Sequence, residues 1–167
     1  MERILDVAQF IYDEYQRISG EKIDEMKLHK LLYFAQREFF AILGQPLFKE
    51  ELQAWKYGPV SVDVRMWFTK NGGIETDTQK VSDDVAYILK NVILEYGQIA
   101  SWKLSELSHQ ELSWRNAREG IRSAESGNNP LCLDDIKKDA EKVRPYDHVW
   151  DMYYDEFEDL QEEDAEF

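Results

Sequence analysis

The chain is expected to fold as a mainly α, α+β domain: a compact multi-helix bundle carrying one small antiparallel β element. Two observations predict this. Apolar residues recur at three- and four-residue spacing along most of the 167 residues, the period of a helix with a buried face. Only the stretch near residues 50–57 changes to a shorter period, and a second short apolar run near 73–77 follows the Asn71-Gly72-Gly73 turn signal and can pair with it.

The elements follow in order. Residues 3–19 form a helix with Ile4, Val7, Ala8, Ile11, Tyr12, Tyr15 and Ile18 on one face, and Gly20 stops it. Asp24 caps a second helix over 25–43, whose stripe is Leu28, Leu31, Leu32, Ala35, Phe39 and Ile42. Tyr33, Phe34 and Phe40 add apolar surface on its other sides, so this helix is placed at the centre. Gly44 ends it and Pro46 prevents its resumption. A short strand lies within 47–57, Gly58-Pro59 turns the chain, and a helix over 60–70 carries Val64, Trp67 and Phe68. Ser82 caps a helix over 83–96 that Gly97 stops. Ser101 and Ser113 are candidate caps for two short helices, 102–108 and 114–121. Residues 123–130 read as a loop, and helices near 134–143 and 146–160 follow. Residues 1–160 are expected to form one domain, and residues 161–167 an acidic tail with no core-forming pattern.

Composition narrows the function classes. One cysteine, Cys132, excludes an internal disulfide framework, and the N-terminus MERILDVAQF mixes charges in a helical pattern unlike a signal peptide. No apolar run reaches the roughly 18 residues that span a membrane. The expected location is the cytoplasm, with no membrane contact. Net charge is −14, and residues 151–167 hold nine acids with no Lys or Arg. Such a chain repels phosphate backbones, so no direct nucleic-acid binding is expected and a partner protein with a basic surface suits it better.

Little in the chain looks like chemistry. His109 and Glu111 come closest to a metal or acid–base pair, but zinc needs three or four ligands and His29 and His148 offer no companion spacing. A hydrogen-bonded corner with Trp114 and Arg118 is the stronger reading. No catalytic residue, metal or cofactor is expected. Cys132, between Leu131 and Leu133, reads as a small buried hydrophobe. The Trp55-x-Tyr57-Gly58-Pro59-Val60 corner can fill a core, present a recognition surface, or bury one ring and expose the other. In the last helix, Trp150, Tyr154 and Phe157 form a stripe among Asp151, Asp155 and Glu158. Those six residues are the candidate partner-binding set, although the same stripe could pack on the core.

The segments KLLYFAQREFF, GQPLFKEELQAWKYGPV, a helix ending in Tyr96-Gly97, and LSELSHQELSWRNAR occur in that order. Together they resemble the Panacea-domain family, the group of phage-associated GepA-like proteins and SocA-like antitoxins. The resemblance covers residues 3–122; Ser113 stands where many relatives carry proline. It implies a mostly helical domain with a small sheet that binds a cognate protein toxin directly and silences it. For SocA-like members it implies an adaptor that delivers the toxin to an unfoldase-protease. It also marks Leu31, Leu32, Tyr33, Trp55, Tyr57, Gly58, Pro59, Val60, His109, Glu111, Trp114 and Arg118 as motif residues with packing roles. A metal-assisted enzyme using His109 and Glu111 is the remaining alternative.

Overall fold

The computed structural model describes residues 1–71 and 78–143. The expected second strand near 73–77 and the helix over 146–160 lie outside the described residues. Seven helices and one hairpin are described: α1 (Ile4–Ser19), α2 (Glu25–Leu43), β1 (Gln53–Trp55), β2 (Gly58–Val60), α3 (Val62–Asn71), α4 (Asp83–Tyr96), α5 (Ser101–His109), α6 (Leu112–Ala117) and α7 (Leu133–Glu141). No described helix is long and apolar enough to cross a membrane.

Helix α2 is the centre, and α1, α3, α4, α5, α7 and β2 all pack on it. Asp24 accepts a hydrogen bond from the Lys27 N–H at 2.8 Å, which satisfies one of the orphan donors of the first turn. Gly44 closes the other end at φ 70°, with its N–H on the Phe40 carbonyl. Between the caps the helix is buried on every side. Leu28, Leu31, Leu32, Tyr33 and Ala35 have no exposed area, and Lys27, His29, Lys30, Gln36, Arg37 and Glu38 are buried beside them. Buried polar groups need partners. The Gln36 amide supplies its own by accepting from Leu47 N (2.7 Å) and donating to the Phe48 carbonyl (2.9 Å), which pins the chain returning from Gly44. Lys27 Nζ donates to the Gly97 carbonyl at 2.7 Å, tying α2 to the end of α4.

Among the described residues the β element is a two-stranded hairpin. The strand pairs antiparallel with the residues that follow it at once, Gln53 with Val60, Ala54 with Pro59 and Trp55 with Gly58. The turn therefore falls at Lys56-Tyr57, two residues earlier than expected, and helix α3 begins at Val62 with the Ser61 hydroxyl accepting from Val64 N at 3.2 Å. A proline is tolerated in β2 because no ladder bond is asked of it. Its neighbour Ala54 spends its N–H on the Asn129 carbonyl (2.8 Å) and its carbonyl on Arg118 (3.1 Å). The 123–130 loop is thus more than a connection: Leu131 N also donates to Leu52 O at 2.7 Å, so its end runs along β1.

Three smaller expectations need correction. Ser101 opens α5 rather than capping it, and its hydroxyl donates to Asp24. Helix α6 spans 112–117, not 114–121, and Ser113 lies inside it because its hydroxyl is held by Asp139 on α7. Cys132 is exposed. The backbone there is extended, so Leu131 points inward and its neighbour outward.

Gly58 is where the fold has least latitude. Its φ is +118°, and a Cβ there would lie 2.5 Å from Ser108 Oγ and 2.6 Å from Lys30 Cε. Strained φ and overpacking each cost on the order of 1–3 kcal/mol. Gly58→Ala is therefore expected to lower unfolding free energy by about 3 kcal/mol, measured by denaturant titration. A control Gly20→Ala meets open space at φ +78° and bears only the backbone cost.

Candidate functional site

The two halves of the motif, fifty residues apart in sequence, meet at the hairpin. Trp114 Nε1 donates to the Trp55 carbonyl at 2.9 Å, and Arg118 Nη1 to the Ala54 carbonyl at 3.1 Å. The Arg118 guanidinium also lies over the Trp114 ring, 5.2 Å from its centre, and its Nη2 reaches the Arg122 and Glu125 carbonyls. The His109 ring stacks on Trp114 at 4.1 Å, with 15° between planes. Burial is the leading cause holding its pKa below the usual histidine value, with Lys30 adding repulsion.

Glu111 faces elsewhere. Its Oε1 accepts from Arg37 Nη1 (3.1 Å) and Lys142 Nζ (2.5 Å), and its Oε2 lies 3.0 Å from the Tyr33 hydroxyl. The same hydroxyl is 2.8 Å from Asp139 Oδ2. Having one proton, it can donate to only one of the two carboxylates. Burial and that pair of charges drive its pKa well above the usual tyrosine value. Asp139 further accepts from Leu112 N at 2.8 Å and from Ser113 Oγ at 2.5 Å, so α7 caps α6 across the interface. This knot is buried and its oxygens are spoken for; it locks α2, α6 and α7 together. His109 and Glu111 thus serve different neighbours, and among the described residues no group of three His, Cys, Asp or Glu is placed to hold a metal ion.

What the corner presents outward is a hollow of about 290 Å³ between the hairpin and the starts of α2 and α3. Met26, Trp55, Tyr57 and Val60 give it apolar walls. Tyr57 is 57% exposed and Trp55 half-buried, so this corner buries one part and shows the other. The floor is polar. Ser61 N donates to His29 Nδ1 at 3.3 Å, which leaves the ring proton on Nε2, 3.1 Å from Glu25 Oε2. Glu25 also takes Arg65 at 2.7 Å, and both contacts hold its pKa below the usual range, with His29 the larger cause. Lys30, 1% exposed, donates to the Pro59 carbonyl at 3.1 Å. Burial lowers its pKa to about 8.

Leu31, Leu32 and Tyr33 lie in the core, Val60 is nearly covered and Trp114 is 9% exposed. Trp150, Asp151, Tyr154, Asp155, Phe157 and Glu158 lie outside the described residues. Sequence reasoning missed Glu25, His29, Lys30 and Arg65. A signal for Lys30 was present: it stands in a helix that is apolar all round, which leaves a charge no solvent face.

Comparison with known proteins agrees with the resemblance. The family model described as antitoxin SocA-like, Panacea domain, matches residues 28–115. The antitoxin SocA of Caulobacter vibrioides (strain NA1000 / CB15N) is 30% identical over 103 residues, 52% of this chain and 55% of that protein. The chain thus spans about half the length of that relative. No solved structure matches significantly.

The buried histidine sets a pH dependence. Burial lowers the pKa of His29 from 6.5, so the unfolded state binds its proton first on acidification. Stability from His29 is complete above pH 6.5 and is lost as pH falls from there through the lowered folded value. His29→Gln is expected to flatten the stability profile in that window, measured by urea titrations at successive pH values.

Proposed function

The chain belongs to the SocA-like antitoxin, Panacea domain family, and we propose that it is an antitoxin that neutralises a cognate protein toxin by direct contact. The observation that carries this reading is the extent of the family match. Residues 28–115 include most of the central helix, the hairpin, Trp114, which donates to the Trp55 carbonyl, and His109, stacked on Trp114. The matched stretch therefore builds one rigid surface, in which Trp55 and Tyr57 are shown to solvent while their backbone is fixed from behind. Rigid aromatic residues at a partly apolar surface are what protein partners engage. The acidic aromatic residues Trp150, Asp151, Tyr154, Asp155, Phe157 and Glu158 are proposed as a second contact, suited to a basic patch on the toxin.

The test is co-expression with each protein encoded beside this chain, after its toxicity alone has been measured. Restored growth together with a co-purified complex is the expected result, and it should persist in a host lacking the unfoldase. Rescue that vanishes in that host would replace occlusion with proteolytic delivery, and rescue without a complex would overturn direct contact. Removing residues 146–167 is expected to weaken neutralisation while cooperative unfolding is retained, read by growth and by circular dichroism in parallel.

A further inference from the structure

We infer that the hollow beside the Trp55–Val60 corner is a docking site for an acidic, aromatic segment of the partner protein, with the segment's ring in the hollow and its carboxylate at Lys30. The identification of the partner as a toxin rests on the antitoxin reading; the chemistry of the site does not.

Charge is the first ground. The hollow shares Trp55 and Arg65 with an adjoining open one of about 540 Å³ that runs along α3 past Met66 to Lys70. Among the described residues their lining holds four cations, Lys30, Lys56, Arg65 and Lys70, against one carboxylate, Glu25. On a chain of net charge −14 this is a local reversal of sign. Glu25 cannot serve as counterion for them all, being engaged by His29 and Arg65.

Lys30 is the second ground. Its ammonium has three donors and uses one, on the Pro59 carbonyl. Among the described residues no carboxylate lies within ion-pair distance of it. A buried charge left this way is costly, and an incoming carboxylate would remove much of the cost. A lysine is a compact point donor that one carboxylate satisfies. A phosphate is better served by a free guanidinium fork, and the Arg65 fork is already committed to Glu25 and to the Trp55 face, 5.4 Å from the ring centre.

Shape is the third. One hollow of about 290 Å³ is at the small end for an organic ligand but suits a side chain, and the continuation over Trp55 gives a segment somewhere to run. Tyr57 and Met66, 57% and 65% exposed, flank that path with uncovered apolar area. The hairpin is already held by Trp114 and Arg118, so little ordering is required on binding.

The full-length chain is immobilised and a random-peptide library displayed on phage is selected against it. Enriched peptides are expected to carry Asp or Glu within two residues of Phe, Tyr or Trp, and to perturb the Trp55 indole signal in NMR spectra. Synthetic versions should bind at least about tenfold more weakly to Lys30→Met and to Tyr57→Ser. Lys30→Met keeps the aliphatic stem against Gly58; if it nevertheless unfolds, Lys56→Glu and Tyr57→Ser at the rim carry the comparison. Exchanging the peptide acid for its amide should weaken binding to the native chain and leave the already weakened binding to Lys30→Met nearly unchanged. No enrichment, enrichment without acids, or equal affinity for all variants would overturn the assignment. Co-expression separates the two proposals: a toxin complex that is indifferent to these variants sinks the docking site alone, and peptide binding without any toxin complex sinks the antitoxin reading alone.

Discussion

A helix buried on every face has no outward side for its charges, and that constraint organises the rest of this protein. Helix α2 carries Lys27, Lys30, Gln36 and Arg37 among its core leucines and aromatics. Each has to find a partner inside the protein, because an unmatched buried polar group costs on the order of 1–3 kcal/mol and a charge more. The partners lie in four different places: the end of α4, the Pro59 carbonyl, the Leu47–Phe48 backbone and Glu111 before α6. Long polar side chains thereby act as struts of defined length from a common axis. Apolar packing alone tolerates small slides between helices; a hydrogen bond with an angle and a distance does not.

The hairpin shows what those struts are for. Its outer edge is gripped through carbonyls by Trp114 and Arg118, and from below Lys30 reaches the carbonyl of Pro59. Only glycine fits at position 58, because the Lys30 stem and the Ser108 hydroxyl occupy the space a Cβ would take. This accounts physically for two motif halves so far apart in sequence. The aromatic side chains of one and the carbonyls of the other are halves of a single clamp. His109 belongs to it as a stacked plate on Trp114, which explains a histidine near a glutamate without invoking shared chemistry.

How far this could be read from residues alone depended on the range of the forces involved. Local rules located the α1, α2 and α4 helices nearly to the residue, since Asp24, Ser82, Gly20 and Gly44 act on the turn next to them. They failed where a distant group outcompeted a local one. Ser113 looked like a cap, but Asp139, 26 residues on, takes its hydroxyl and caps α6 in its place. Gly58-Pro59 looked like a turn, but Lys30 and Arg118 satisfy the carbonyls that let those residues run as a strand. The candidate hollow was hidden for the same reason. Trp55 and Tyr57 were visible as a corner, whereas His29, Lys30 and Arg65 reach it only once α2 and α3 have packed beside the hairpin.

Net charge deserves the same distinction between near and far. At physiological salt, fields between exposed charges fade over about 8 Å, so a sum of −14, most of it in residues 151–167, describes solubility and general repulsion more than any one contact. Recognition is decided by the charges within that distance of the partner. Among the described residues that line the corner they are Lys30, Lys56, Arg65 and Lys70, with Glu25 the carboxylate set against them. An acidic chain can therefore hold a basic patch at arm's length with one set of residues and seat an acid with another. Opposite demands at two separate contacts select a partner more sharply than either would alone, since a wrong partner must satisfy both signs in the right places.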